Sequence, residues 1–537
     1  MTARHAAPVS ADAPATAPVE TELKLRIAPD AVAKLPRHPA LAAVKRGRAR
    51  RTRVVSTYYD TEDRALAAAG IVLRLRRDGR RWVQTVKGPA AATKGGGVAA
   101  RTEFEWPVAG GRLDPLRFAT TPFRRALGRA EQSGLVAHFT TDVARTTIPL
   151  AFPDSTMALL CIDVGQVRTA DAGPVVRAPI HEIEIELEAG DVAQLFDLAH
   201  ALAADVPLAF EPASKAERGF ALRHPPAEAP IRAGDADLPA KCTAGEAFAA
   251  FIRACLQQIE GNARGVVALD DPEWIHQMRI GVRRLRACLS LARKGMAPTR
   301  IEPLRVELRW LAQALGPARD LDVFTADTLP AFAEAVRHGG TAAPLGAAFA
   351  KLAARAATRR KEARVLARTA VASPRFVRLV LFAAALANAS CANAAGDARH
   401  AANLARPARD YARPLLRRRH RDLIALGTDL AHATPEARHA ARLAAKKLRY
   451  ATEFFASLYP TKRTGNYRRA LTALQDELGL WNDTHNAARL AAELAGPQSP
   501  AAAAFSGWAA ARGAERGDAL AAAWGGFAKA RPFWTHR

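Results

Sequence analysis

Eight short segments before residue 190 alternate apolar and polar side chains, and this alternation limits the possible folds more than any other feature of the chain. In the first segment, VETELKLRI at 19–27, Leu23 and Leu25 fall on one face while Glu22 and Lys24 fall on the other. A period of two is typical of a β-strand with one buried face. The other segments cover 52–59, 71–77, 82–87, 101–108, 142–150, 158–168 and 180–188. Eight such strands predict an antiparallel sheet that rolls into a closed β-barrel.

Helical periodicity is distributed unevenly along the chain. It occurs between the predicted strands at 114–133 and 190–204, which makes the first part α+β. After the Pro- and Gly-bearing stretch at 224–240, Ala, Leu and Arg dominate and almost no strand pattern remains. We therefore predict a disordered tail at 1–17, a sheet domain at 18–223, a linker at 224–240 and an all-α domain at 241–530.

The predicted helical domain contains an internal repeat. HQMRIGVRRLR at 276–286 matches HAARLAAKKLR at 439–449 with an offset of 163 residues, and LAQALGPARD at 311–320 matches LQDELGLWND at 474–483 with the same offset. One offset shared by separate segments indicates two copies of one helical unit, and chance similarity of Ala- and Arg-rich sequence is the alternative. We expect a pseudo-twofold helical bundle.

The basic charge of the chain is concentrated after residue 240. Of a net charge of +26, residues 241–537 hold 46 Lys and Arg against 24 Asp and Glu, whereas residues 1–240 hold 32 against 28. This imbalance predicts a polyanionic partner for the helical domain. Nucleic acid, an acidic membrane surface and polyphosphate all satisfy charge alone.

Cysteine spacing and hydropathy indicate which cellular compartment is expected for the protein. The five cysteines lack Cys-x-x-Cys spacing, so neither a zinc site nor a disulfide framework is indicated. The sequence has no run of about 18 uncharged apolar residues, and we expect no membrane partner. The N-terminal segment lacks the apolar core of a signal peptide. We expect a cytoplasmic protein with reduced thiols, associated with polyphosphate granules if it binds that polymer.

The polar faces of the predicted strands carry both signs of charge. On a single strand such a face is usually exposed to water. If the sheet closes, one face must line the lumen, and the helices can cover the apolar face. Buried charges are costly unless they are paired or bind ions. A hydrated lumen that holds a divalent cation and a polyanion would satisfy both signs.

Several of these segments resemble a known family. ETELK at 20–24 is similar to the ExExK signature of the CYTH superfamily, the triphosphate tunnel metalloenzymes. STYYDTEDRALAAAGIVLRLR, WVQTVKGP, HEIEIELEAG and SKAERGF resemble further segments of that family in the same order, although Glu62 stands where the family often has Pro. The resemblance implies a metal-dependent triphosphatase that hydrolyses the terminal phosphoryl group of inorganic triphosphate.

The resemblance also implies roles for individual residues. The motif residues Glu20, Glu22 and Lys24 would be catalytic. Carboxylates would hold Mg²⁺ or Mn²⁺, namely Glu20, Glu22, Asp163, Glu184 and Glu186. Cations would hold the triphosphate, namely Lys24, Arg74, Arg76, Lys87, Arg145 and Lys215. Glu182 shares the acidic face but is expected nearer the rim.

The repeated helices each carry a basic stripe. At 100° per residue, each set of four falls within an arc of about 80°. The two sets are His276, Arg279, Arg283 and Arg286, and His439, Arg442, Lys446 and Arg449. A solvated face is the usual interpretation of one stripe, but a second copy at the same register favours an anion site. Both helices resemble the CHAD domain, a conserved-histidine α-helical domain, which implies two four-helix units around a cavity that binds inorganic polyphosphate.

The predicted function is therefore a metal-dependent inorganic triphosphatase that converts tripolyphosphate to pyrophosphate and phosphate and carries a polyphosphate-binding domain. The alternative is a non-enzymatic polyphosphate-binding or granule-associated protein. Nucleic acid is a weaker candidate partner because the sequence has neither an RNA-binding aromatic signature nor zinc-finger spacing. Thiamine triphosphate, nucleoside triphosphates and RNA 5′ ends stay open as substrates, and cyclase chemistry stays open as a reaction, because related barrels are used for all of them.

Overall fold

The computed structural model describes residues 19–90, 98–170, 173–211, 213–225, 228–234, 236, 238–338, 342–389, 391–427, 429–430 and 432–535. Within these ranges, the side chains of 19–20, 90, 98–101, 342–345, 391–392 and 514 are not described. The predicted tail at 1–17 lies outside the described residues. The chain divides into two compact units, Met1–Ala227 and Glu228–Arg537.

The strands of the first unit form one antiparallel sheet. Among the described residues they are β1 (Val19–Ile27), β2 (Arg50–Asp60), β3 (Val72–Asp78), β4 (Arg81–Ala90), β5 (Val98–Val108), β6 (Val136–Ala151), β7 (Met157–Thr169), β8 (Arg177–Ala189) and β9 (Leu208–Phe210). Their order is β5-β4-β3-β2-β6-β7-β8-β1-β9, and β5 also pairs with β1. All eight predicted strands are confirmed. The three residues of β9 are too few to show an alternating pattern.

Short helices cover the apolar face of this sheet, as expected. They are α1 (Pro39–Ala42), α2 (Ala65–Ala68), α3 (Arg124–Gln132) and α4 (Ala193–Leu202). Helix α5 (Lys215–Ala221) instead packs on Tyr58 and Phe139, on the face that carries Arg74. The helix expected at 114–133 is divided into a 3₁₀ helix, Pro115–Thr120, and α3. Leu73 and Val86 of the sheet pack there against Phe118 and Leu127. This packing removes the apolar face from water and leaves the charged face for another use.

The described part of the second unit is built from helices. They are α6 (Ala244–Ala268), α7 (Pro272–Leu291), α8 (Pro298–Val323), α9 (Leu329–His338), α10 (Ala342–Val371), α11 (Pro374–Asn388), α12 (Cys391–Ala395), α13 (Ala398–Leu404), α14 (Ala408–Ile424), α15 (Pro435–Phe455), α16 (Thr461–Ala495), α17 (Pro500–Glu515) and α18 (Gly517–Ala528). A π-helix, Phe324–Thr328, joins α8 to α9. No single described helix is long and apolar enough to span a membrane, although the pair Gly346–Val371 and Pro374–Asn388, bent by 55°, meets that test jointly.

The helix boundaries reproduce the internal repeat. Helices α7 and α15 begin 163 residues apart, and so do α8 and α16. Helices α7 and α15 also both begin with Pro at their first position, after a capping side chain from Asp271 or Thr434. Proline suits this position because its missing N–H would have no partner inside the helix. The two copies therefore share the start positions of these helices as well as their sequence motif, whereas α16 is longer than α8.

Part of the segment predicted as a linker is bound to the helical unit. The Asn262 amide donates to the Ile231 carbonyl and accepts from the Ile231 N–H. The buried Arg284 guanidinium donates to the Gly234 carbonyl at 2.9 Å. These side chains satisfy backbone groups that a free linker would leave to water. The backbone at Ile231 and Gly234 is therefore bound to α6 and α7 through Asn262 and Arg284.

Candidate active site and anion-binding cavity

The predicted tunnel residues share one face of the sheet. Directly paired residues in neighbouring antiparallel strands project to the same side. Glu184 pairs with Lys24, Glu182 pairs with Asp163, and Asp163 pairs with Arg145. Further pairs connect Tyr58 with Arg74, Arg74 with Thr85, Thr85 with Glu105, and Lys87 with Glu103. The charged residues in each of these pairs therefore project to the same side of the sheet.

Three buried carboxylates meet on this face around a lysine. One oxygen each from Asp163, Glu182 and Glu184 lies within 4.8 Å of the other two. The Lys215 Nζ lies 2.7 Å from Asp163 and 2.9 Å from Glu184, and it also contacts Glu182. The Arg145 guanidinium donates to both oxygens of Asp163, at 2.7 and 2.6 Å, and to Glu184 at 2.8 Å. Each of the three carboxylates therefore contacts at least one of the two cations.

The mutual pairing shifts the titration of these groups. Burial alone would raise the pKa of Glu184, but Lys215, Lys24 and Arg145 hold it well below its usual value. Burial would lower the pKa of Lys215, but Glu184, Asp163 and Glu182 hold it well above its usual value. Glu182 differs, because burial keeps its pKa raised. The site therefore retains both signs of charge near neutral pH.

A second group of paired charges comes from β3, β4 and β5. The Arg74 Nη2 contacts Glu103 at 3.1 Å and Glu105 at 3.2 Å. Arg76 contacts Glu105 at 3.1 Å, and the Lys87 Nζ contacts Glu103 at 3.0 Å. These cations lie beside carboxylates that the sequence analysis left without a role. The sequence did indicate that Glu103 and Glu105 lie on the polar face of their strand, because both alternate with Phe104 and Trp106.

The predicted metal ligands are placed differently from one another. Asp163 and Glu184 belong to the carboxylate cluster, and the half-buried Glu22 lies on the Lys24 side of it, 3.3 Å from the lysine Nζ. Glu186 pairs with Glu22 across β1 and β8. The Glu20 side chain is outside the described residues. Glu182 is fully buried, so its expected position near the rim is wrong.

Helix α5 brings Lys215 to the cluster. A capping box with Ser214 and Glu217 begins the helix, which directs the next residue, Lys215, to the carboxylates. A side chain at Gly219 would lie 2.1 Å from the Phe139 ring, so glycine permits close packing on β6. Arg218, another residue missed by the sequence analysis, donates to Glu182 at 2.7 Å. These contacts account for five residues of the SKAERGF segment, namely Ser214, Lys215, Glu217, Arg218 and Gly219.

The donor set is suitable for a hard divalent cation. Asp163, Glu182 and Glu184 offer carboxylate oxygens, which Mg²⁺ and Mn²⁺ prefer over softer ligands. The three carboxylates come from two neighbouring strands, so the sheet fixes their spacing. The residues present therefore fit such a metal.

The helical unit has a separate cavity of about 630 Å³. Five of the eight predicted stripe residues line it: His276, Arg279, Arg283, Arg442 and Lys446. They come from both repeats, so α7 and α15 bring the two stripes to one place. The contacts repeat as well, because Arg279 lies 3.3 Å from Asp320 and Arg442 lies 3.5 Å from Asp483.

Two cations of this cavity, Arg283 and Lys446, make no hydrogen bond or ion pair with any described residue. The Nε atom of Arg442 is also buried without a hydrogen-bond partner among the described residues, although its Nη2 contacts Asp483. Burial, with the charges of Arg442 and Arg283, lowers the pKa of Lys446 to about 8. Burial and Arg319 also lower the pKa of His276. A bound anion would reverse these effects.

The other three stripe residues do not line the cavity. Arg286 is exposed, with Arg309 and Arg305 as charged neighbours. His439 is exposed as well. Arg449 donates to Gln475 at 2.9 Å and contacts Glu453 at 2.8 Å. The basic stripes therefore leave the cavity at their ends.

Comparison with known proteins gives matches to each half of the chain. A 206-residue segment, 38% of the chain, is 31% identical to an inorganic triphosphatase from Haemophilus influenzae and spans 54% of that protein. The CHAD domain of the plant Ricinus communis is 33% identical over 56% of this chain and 98% of that one, with a TM-score of 0.47. HpAC1 from Hippeastrum, described with a dominant triphosphatase activity, is 18% identical over 38% of this chain and 95% of that one, with a TM-score of 0.28.

Family models assign most of the chain. The CYTH domain model matches residues 19–220, which include the whole charged face of the sheet. The CHAD domain model matches residues 250–492, which include both basic stripes. The chain therefore contains a CYTH domain at 19–220 followed by a CHAD domain at 250–492.

Proposed function

We propose that the protein is a metal-dependent inorganic triphosphatase that hydrolyses tripolyphosphate to pyrophosphate and phosphate, and that its helical domain binds inorganic polyphosphate. The observation that carries the first part is the convergence of Asp163, Glu184, Lys24, Arg145 and Lys215 on one face of the sheet. The likeness to the triphosphatase of Haemophilus influenzae over the CYTH half supports the reaction class.

The sheet would act as a closed tunnel. The pairing of β1 with β5, in addition to β8, supports closure because it joins the first strand of the order to the strand next to its other end. The cations Lys24, Arg74, Arg76, Lys87, Arg145 and Lys215 would then surround the substrate. An Arg fork can hold two phosphate oxygens, whereas Lys supplies a compact charge. The substrate would take over contacts that carboxylates make in its absence.

Asp163, Glu182 and Glu184 would hold the metal, with Glu20, Glu22 and Glu186 as further oxygen ligands proposed from the family motif. A divalent cation at this position supplies neutralisation of phosphate oxygens and makes water more acidic. Lys215 would move from the carboxylates to phosphate oxygens, because a metal and an ammonium group would repel each other there.

The proposed hydrolysis of tripolyphosphate requires little covalent chemistry from the protein. In the proposed hydrolysis, a water oxygen forms a bond to the terminal phosphorus, the bridging P–O bond breaks, pyrophosphate leaves with the electron pair of that bond, and the proton lost by the water passes to solvent. Arg145 and Lys24 would stabilise charge on the transferred group, and Glu184 would hold both cations in position through contacts of 2.8 and 3.3 Å. The arginines of β3 would orient the rest of the chain of phosphates.

Phosphate release tests this proposal. The purified protein should release phosphate from tripolyphosphate with Mg²⁺ or Mn²⁺, and EDTA should stop the reaction. Thiamine triphosphate and ATP in the same assay would rank the substrates. A protein inert toward every triphosphate with either metal would favour the non-enzymatic alternative.

Polyphosphate binding by the helical domain rests on its unpartnered cations. Arg283 and Lys446 would gain their missing partners from phosphate oxygens. Long-chain polyphosphate should bind with an affinity that falls steeply as salt rises. Competition with double-stranded DNA at equal salt would test the partner, and tighter binding of DNA would contradict the proposal.

A further inference from the structure

The cavity of the helical domain has a lining that a bare phosphate chain does not explain. Beside the cations of α7 and α15, apolar side chains from four other elements line it: Val323, Phe324, Leu366, Leu490 and Leu494. The first two belong to the junction of α8 with the π-helix, the third to α10 and the last two to α16. We call these five residues the apolar wall.

The apolar wall is incompletely covered by the protein. Leu366 is 64% exposed although it lines the cavity. Leu490 and Leu494 are partly buried on a core cluster that contains the fully buried Phe324. Covering apolar surface of this kind is favourable only for a ligand that has apolar surface itself. Inorganic phosphate chains have none, so the wall adds nothing to their binding.

Two asparagines indicate what kind of apolar group would fit. Asn482 and Asn486 line the same cavity, and each amide has donors and an acceptor, one donor of Asn482 being directed to Asp483 at 3.4 Å. An acyl chain could not use these groups, whereas the edge of a heterocyclic base could. A cavity of about 630 Å³ has the size of sites that enclose small organic ligands.

We propose that this cavity binds a nucleoside polyphosphate, with the phosphates on the cations of α7 and α15 and the base against the apolar wall. This inference rests on the proposed anion binding of the helical domain and adds a ligand class to it. The binding is expected to involve no chemical step.

A comparison of ATP with tripolyphosphate tests the inference. Both have a triphosphate chain, and tripolyphosphate carries at least as much negative charge, so cations alone favour it. We would titrate the full chain calorimetrically without metal, in an Arg74→Gln/Arg76→Gln background that weakens binding to the sheet domain. Leu366→Asn probes the wall, and Val365→Asn is its matched control because Val365 is the adjacent residue, is 58% exposed and does not line the cavity.

The expected result is that ATP binds more tightly than tripolyphosphate, and that Leu366→Asn weakens ATP binding about fivefold while leaving tripolyphosphate unchanged. Val365→Asn should affect neither ligand, and Lys446→Gln should weaken both. If ATP has no advantage, or Leu366→Asn weakens both ligands equally, the inference is wrong while the proposed polyphosphate binding stands. If Lys446→Gln changes neither ligand, both are wrong. Thermal unfolding would confirm that each variant is folded.

Discussion

The two charged sites of this protein place a buried or half-buried lysine in opposite electrostatic surroundings. In the sheet domain, Lys215 contacts three carboxylates, and these hold its pKa above the usual value. In the helical domain, Lys446 has no hydrogen bond or ion pair among the described residues, and burial with neighbouring arginines lowers its pKa to about 8. The cationic form of a lysine is thus stabilised at Lys215 in the sheet domain and destabilised at Lys446 in the helical domain.

This difference indicates different tasks. A site with paired charges is neutralised before the substrate arrives, and it can exchange its internal pairs for a metal and a phosphate chain together. A site with unpaired cations has no internal pairs to exchange, so it is stabilised by binding an anion. We therefore expect chemistry in the CYTH domain and retention of polyanions in the CHAD domain.

Removal of a central carboxylate should have the largest effect. Glu184→Gln removes a charge that contacts Lys24, Lys215 and Arg145, and it removes one oxygen ligand of the proposed metal. We expect phosphate release from tripolyphosphate to fall about 1,000-fold, as for loss of a central electrostatic group. Glu188→Gln, an exposed residue on the same strand, is the control and should keep activity. Full activity of Glu184→Gln would place the chemistry elsewhere.

Removal of a paired cation should reduce stability. Lys215→Met leaves three buried carboxylates without that partner, and we expect the free energy of unfolding to fall by about 3 kcal/mol in metal-free buffer. Mg²⁺ should restore more stability to this variant than to the wild type, because it can neutralise the same carboxylates. Chemical denaturation measures both. Arg53→Met removes an exposed ion pair with Asp142 from the same sheet and should change little.

Removal of an unpaired cation should have the opposite sign. Lys446→Gln relieves repulsion with Arg442 and Arg283, so stability should stay equal or rise. Affinity for long-chain polyphosphate should fall about tenfold, with a salt dependence shallower by about one unit. The adjacent Lys447, exposed and outside the cavity lining, supplies the control Lys447→Gln. Loss of stability in Lys446→Gln without loss of affinity would break the comparison.

The smallest expected effect is a pH dependence of polyphosphate binding. In the free protein, Lys446 loses its proton as the pH rises through its pKa of about 8, and an anion binds the protonated form better. Affinity should therefore be highest below pH 8 and fall by at most about tenfold per pH unit above it. Lys446→Arg keeps its charge, so its affinity should stay level over this range. Equal pH profiles for the two proteins would show that another group titrates.

Much of this architecture follows from sequence patterns. Period-two alternation identified the charged face because neighbouring strands must keep their paired residues on one side. The alternation does not indicate how deeply each side chain on that face is buried, which explains the wrong position expected for Glu182. Likewise, the offset of 163 residues located both basic stripes, but a helical arc could not tell that Arg449 contacts Glu453 and Gln475. The apolar wall was not predicted because its residues are distant in the sequence.

The most direct test of the central comparison measures two properties on two variants. Glu184→Gln and Arg283→Gln would each be assayed for phosphate release from tripolyphosphate and for retention of long-chain polyphosphate. We predict that Glu184→Gln loses release and keeps retention, and that Arg283→Gln keeps release and loses retention. If both properties fall together in either variant, the two domains do not divide catalysis and binding between them.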